Sequence, residues 1–250
     1  MTWSQRRKFI YGFATLIVVV AVVGIPSFYF LYKPPTCFDG VLNQGEQGVD
    51  CGGPCVKLCA SAFVPPVVAW ARLEKLTDGY YNAAAYIVNQ NVDGEADNAS
   101  YHMALYDNQG SFITDVKGTV SVPPHRNTLA FQTGIAVGKR VPARVLFEFT
   151  AVPNWTKKID TLGLLQIGDK NYAEDTSGSS LAVTLKNSSV LPLGALNVDA
   201  ILYDKDNNVL GFSVTEIDGI SAGATAVAPF SWPENRQGKV ISIEVLPSAK

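Results

Sequence analysis

The chain has 250 residues, with 47% hydrophobic and 17% charged side chains and a net charge of −2. A charged fraction that far below the usual value of about 25% argues against intrinsic disorder. A pI near 5.7 argues against the basic face of a nucleic-acid binder.

Between Phe9 and Tyr32 no residue is charged. As a helix this stretch would run about 36 Å at about 1.5 Å per residue, enough to cross a bilayer core of about 30 Å with some tilt. Arg6, Arg7 and Lys8 precede it, and only Lys33 follows closely. The positive-inside rule then places 1–8 as a cytoplasmic tip, 9–32 as a single transmembrane anchor and the rest outside. A cleaved signal peptide would have a shorter apolar region and a small-residue cleavage site. Ser27-Phe28-Tyr29-Phe30 lacks that site, and Tyr11, Tyr29 and Tyr32 suit interfacial anchoring. Residues 1–32 hold three basic and no acidic side chains, so the remainder carries −5.

Pro34-Pro35 leads into a segment, 33–62, that holds all four cysteines: Cys37, Cys51, Cys55 and Cys59. An even, clustered count outside the membrane predicts two disulfides, with three pairings open. The C-x13-C-x3-C-x3-C spacing is unlike the short cysteine pairs of zinc sites. Asp39, Asn43, Glu46 and Asp50 recur among glycines. They are candidate calcium ligands, calcium being the one cofactor the sequence suggests. The competing reading is that they make turns and are solvated. The segment resembles a Cys-rich motif, C-x-D-G-x-x-N-x-x-E-x-x-x-D-C-G-G-x-C, of exported bacterial and some animal surface proteins. The match runs from Cys37 to Cys55. It implies an extracellular disulfide-stabilised module beside a membrane anchor, and no reaction.

From about Val67 onward, short alternating apolar runs separated by Gly, Pro, Asn and Asp predict β-structure. Pro66 to Lys75 is read as strand. An internal repeat is visible. Tyr101-His-Met-Ala-Leu105-Tyr106-Asp107 parallels Val198-Asp-Ala-Ile-Leu202-Tyr203-Asp204. Ala85 to Asn89 parallels Val183 to Asn187, and Val145 to Phe149 parallels Ile241 to Val245. Alternation predicts a core of Tyr101, Met103, Leu105, Val145, Phe147 and Phe149 in one copy. In the other it predicts Val198, Ala200, Leu202, Ile241, Ile243 and Val245. It assigns His102 and Asp199 to solvent.

Leu105-Tyr106-Asp107 and Leu202-Tyr203-Asp204 look like the signature of the FxLYD domain family. Asn89, Asn187, Pro123-Pro124 and Ser221-Ala222-Gly223 fit its layout. Met103 and Ala200 stand where the family has Phe. The resemblance implies small exported sandwiches of Ig-like architecture behind a membrane anchor. The expected fold is all-β: two tandem Ig-like β-sandwich domains, 63–152 and 153–250, preceded by one transmembrane helix and a small disulfide-rich segment. In both copies the terminal Asp is expected to accept backbone N–H bonds and start a turn. Asp204-x-Asp206-x-Asn208 also mimics the start of a calcium loop, but Val209 stands where such a loop needs Gly.

No catalytic set emerges. His102 and His125 have no companion nucleophile motif, and G-x-S-x-G, H-E-x-x-H and P-loop patterns are absent. Trp155 and Trp232 flank strands and are candidate exposed anchors for a partner, against the alternative of packing at a domain junction. The expected function is a non-catalytic, single-pass membrane protein whose sandwiches bind a protein partner or act as spacers at the cell surface or envelope. The alternative is an accessory subunit of a membrane transport, secretion or cell-wall complex. Neither nucleic acid nor a small-molecule substrate is expected as a partner.

Overall fold

The computed structural model describes residues 3–32, 34–158 and 160–249. Lys33, the basic residue expected after the anchor, lies outside them. The chain divides into a unit of 1–55 and a unit of 56–250.

The first unit begins with α1 (Trp3–Leu31), which is long and apolar enough to cross a membrane and has no buried residue. Val20–Gly24 forms a π-helical turn inside it. Its cause is Pro26, which lacks the N–H that would continue the helical ladder and crowds the preceding turn. The cysteine segment follows. Cys37 and Cys55 are bridged with Cα atoms 5.6 Å apart. Cys51 and Cys59 are also disulfide-bonded and no cysteine is free, so of the three pairings the fold selects one. Gly53 is required here: its φ is +57°, and a Cβ would stand 2.2 Å from the Gly45 carbonyl oxygen.

The second unit is built of strands: β1 (Val67–Thr77), β2 (Tyr80–Val88), β3 (Gly94–Tyr106), β4 (Phe112–Val122), β5 (Asn127–Ala136), β6 (Arg144–Phe149) and β7 (Trp155–Lys157) come first. Next are β8 (Leu165–Asp175), β9 (Gly178–Asn187), β10 (Leu196–Tyr203), β11 (Val209–Ile217), β12 (Thr225–Trp232) and β13 (Ser242–Ala249). The sheet β1-β2-β5 faces the sheet β4-β3-β6, with β7 beside β3. In the second copy β8-β9-β12 faces β11-β10-β13. The order is the same in both, so the sequence repeat is a structural one. Ahead of the first sandwich, the Leu58 N–H bonds to the Trp155 carbonyl and the Lys157 N–H to the Val56 carbonyl, pinning 56–58 to β7.

Alternation along the strands fills the two cores as expected, with one correction. Tyr101, Met103, Leu105, Val145 and Phe147 are buried in the first, and Val198, Ala200, Leu202 and Val245 in the second. Phe149 and Ile243 pack partly buried against them, but Ile241 is 67% exposed. Leu105 pairs with Val145 and Leu202 with Ile243, so the third strands align two residues further along than the sequence comparison placed them. A slip of two keeps the buried face unchanged, which is why alternation alone did not reveal it.

The two sandwiches also pack on each other. Ala84, Tyr86 and Leu129 on the outer face of β1-β2-β5 meet Ile201 and Phe212 on the outer face of β11-β10-β13. Trp70, Phe131, Tyr203, Val214 and Leu246 border this cluster. Four sheets are therefore stacked, and the inner two are covered on both faces. β2 and β10 accordingly read as nearly continuous apolar runs, YYNAAAYIV and LNVDAILY. Full burial of Ile201, Phe212 and Leu129 stabilises the contact by about 1.5–3 kcal/mol each.

Candidate functional site

The repeated signature residues turn out to be structural. Asn89 is buried; its Nδ2 donates to the carbonyls of Gly94 and Pro123, and its Oδ1 accepts from the Asn91 N–H. Asn187 repeats this in the second sandwich, with Nδ2 donating to the Leu191 and Ile220 carbonyls and Oδ1 accepting from the Ser189 N–H. Asp107 accepts from the N–H groups of Gln109 and Ser111, and Asp204 from those of Asp206 and Asn208. Both carboxyls are held below the usual range, Asp107 first by the Ser111 N–H and then by Arg140, and Asp204 first by the Asn208 side chain and then by the Asn208 N–H. The turn expected after each Leu-Tyr-Asp is thus present in both copies.

In the cysteine segment the carboxylates of the candidate calcium ligands are engaged by the loop itself, whereas Asn43 Oδ1 is buried with no hydrogen-bond partner among the described residues. Asp39 accepts from the N–H groups of Thr36 and Val41 and from Asn43 Nδ2. Asp50 accepts from the N–H groups of Asp39 and Gly40, and Glu46 from those of Asn43 and Asp50. This is how a chain with little apolar content orders a turn-rich loop. Glu46 Oε1 lies 3.2 Å from Cys55 Sγ, and Cys37 completes a tight group of three. Both sulfurs are in the disulfide, so neither is a thiolate for a metal.

The two tryptophans are not presented to a partner. Trp155 is 2% exposed and stacks on Phe63 with ring centroids 5.0 Å apart. Trp232 is 3% exposed; it stacks on Phe230 and its Nε1 donates to the Phe212 carbonyl. Strand-flanking position suggested exposure, but each large ring is a buried member of one of the two cores.

Sequence reasoning missed the junction between the sandwiches, where polar groups converge. Glu244 on β13 accepts from the Tyr86 hydroxyl at 2.7 Å and the Tyr203 hydroxyl at 2.9 Å, tying the two sandwiches together. Asn127 Nδ2 donates to the Tyr86 hydroxyl. Burial, and then the Glu244 carboxylate, hold both phenols above their ordinary range. Glu74 on β1 pairs with Arg236 of the β12–β13 connection, and both side chains are only 10% exposed. Burial raises the Glu74 carboxyl, opposed by the Arg236 charge.

Asp199, expected in solvent, is 3% exposed. It lies on the face of β10 that carries Ile201 and Tyr203, and that face is covered by the first sandwich. Its Oδ2 accepts from the Leu129 N–H across the junction at 3.1 Å. Burial pushes its carboxyl up to about 8, only partly offset by that bond. It lines a cleft of about 340 Å³ with Asn98, Thr128, Phe131, Asn197 and Ser248.

The chain matches no family model and none of the curated proteins. Among solved structures it is similar to a beta-glucuronidase of Bacteroides uniformis at 14% identity and a TM-score of 0.20. That similarity covers 68% of this chain and 26% of the other. It is also similar to the N-terminal tandem CBM22 domains of Paenibacillus barcinonensis Xyn10C at 8% identity and a TM-score of 0.17, over 74% of this chain and 86% of that one. The chain therefore spans about a quarter of the glucuronidase, and likenesses this slight carry no inference about activity.

Proposed function

We propose that the protein is a non-catalytic, single-pass membrane protein of the cell envelope, with a cytoplasmic amino terminus and a rigid two-sandwich head that binds a protein partner. The observation that carries this reading is the face-to-face packing of the sandwiches around Ile201, Phe212, Tyr86 and Leu129. A flexible spacer would leave those faces polar and apart; a buried junction holds both sandwiches in one fixed presentation. The wholly exposed apolar α1 supports the anchor, because in water its side chains would have no partner. The common strand order and the paired Leu-Tyr-Asp turns support an Ig-like, FxLYD-like assignment for each sandwich.

Fractionation tests the anchor. The chain is expected to stay with membranes through alkaline extraction and to lose its sandwiches to protease added outside. A mature protein that starts near residue 33 and is soluble overturns it. Purification in mild detergent tests the head. A stoichiometric integral partner would make the chain an accessory subunit of a transport, secretion or cell-wall complex instead.

A further inference from the structure

We propose that the cleft between the sandwiches is a binding site for a small primary-ammonium ligand, with Asp199 as its counter-ion. The site is assembled only where the two repeats meet. Asn98, Thr128 and Phe131 come from the first sandwich, and Asn197, Asp199 and Ser248 from the second. At about 340 Å³ the cleft is at the small end of pockets that take organic ligands, about 300–1,000 Å³.

The chemistry of its wall selects the charge. Among the described residues lining it from β3, β4, β5, β10, β11 and β13, Asp199 is the one ionisable side chain. It is 3% exposed, and among the described residues it has a single hydrogen-bond donor, the Leu129 N–H. A buried carboxylate without a cationic partner among the described residues is costly, so burial pushes the Asp199 carboxyl up and favours its neutral form. An ammonium group removes that cost by supplying a full positive charge and three N–H donors. The side-chain oxygens of Asn98, Asn197, Thr128 and Ser248 are acceptors for the donors that Asp199 does not take. Phe131 offers an apolar wall for the ligand's carbon skeleton.

The proton balance follows from the same geometry. The ligand enters as R–NH₃⁺, Asp199 gives its proton to solvent, and the complex holds the ammonium–carboxylate pair with no bond made or broken beyond that O–H. Binding near neutral pH therefore releases a proton, and affinity rises with pH as the carboxyl ionises.

Two ammonium sources share this chemistry, a lysine-like side chain and an amino sugar. Calorimetry on the full chain in detergent separates them. The probes are Nα-acetyl-lysine methylamide and glucosamine, each beside its N-acetylated neutral counterpart. Paired runs in phosphate and HEPES count the released protons. The charged member of at least one pair is expected to bind about tenfold or more tightly than its neutral counterpart, one pKa unit being one factor of ten. Asp199→Asn is expected to lose that preference. The pH dependence in the unaltered chain reads the same step without any variant. Equal binding of charged and neutral probes, no proton release, or no heat from either ammonium probe at millimolar concentration overturns the proposal.

Discussion

The two sandwiches share one strand order but differ in what covers the outer face of the central strand. In the first, the outer face of β4-β3-β6 carries His102, Asp115, Lys117 and Glu148, with His102 Nε2 3.5 Å from Glu148. At the equivalent places β11-β10-β13 carries Asp199, Phe212, Val214 and Leu246. Ala104 is replaced by Ile201. Three charged positions have thus become apolar in the second copy, and that face docks. The opposite pairing holds for the other sheets. Tyr86, Leu129 and Phe131 dock, whereas Thr184, Val227 and Pro229 hold the same register in β9 and β12 and remain outside. One repeat unit therefore supplies both a docking face and a terminating face, and substitutions on the outer side choose between them.

The strongest way to break this comparison is to remove the docking side chains. Ile201→Ala deletes a fully buried side chain and is expected to cost about 2–5 kcal/mol. Leu146→Ala, on the solvent-facing sheet of the first copy, removes a side chain 46% exposed and should cost under about 1 kcal/mol. Urea melts of both variants check the contrast, and equal losses would mean the junction contributes nothing special.

The cysteine segment supplies a control outside the repeats. Replacing Cys37 and Cys55 by Ser removes a cross-link of sequence separation 18, worth about 3 kcal/mol to its own loop. The sandwiches hold no cysteine from 63 onward, so their melting transition should not move. Proteolysis of 37–55 and calorimetry of the sandwiches read the two effects separately.

Asp199 sharpens the comparison through pH. Burial pushes its carboxyl from the ordinary value of 3.8 up to about 8, so between those values the native state holds a proton that the unfolded chain has lost. Its contribution to stability is full below about pH 4 and lost as pH rises to about 8, with a slope of up to about 1.4 kcal/mol per unit. Asp199→Asn should flatten that slope. His102→Asn, at the equivalent but uncovered position, should change stability by less than about 0.5 kcal/mol. Denaturation midpoints across pH 5–9 test both.

A further contrast concerns the repeated tyrosines. Tyr203→Phe loses the hydroxyl that Glu244 accepts from and should cost about 1.5–3 kcal/mol. Tyr106 instead packs edge-on against Phe112 and under Arg144, so Tyr106→Phe should be nearly neutral. Similar losses in the two variants would remove the distinction drawn between the faces.

The strand pattern, the repeat, the apolar helix, the two cross-links and the turn role of Asp107 and Asp204 were all legible in the sequence. Each depends on local rules: a period of two, a run of uncharged residues, a cysteine count, a carboxyl beside its own backbone. The candidate cleft was not legible, because Asp199 and Leu129 are 70 residues apart and meet only at the junction. Alternation sorts a strand's residues onto two faces without saying what covers the outer one. The unbroken apolar runs of β2 and β10 were the available signal for a sheet covered on both sides. Low charge and modest acidity therefore had a structural meaning that composition could not give. Part of the apolar surplus is α1 and the two cores, and part is spent on the face that joins the cores. Sequence determined what each segment can form; tertiary packing decided which faces are inside, because burial depends on a partner surface that no local pattern encodes.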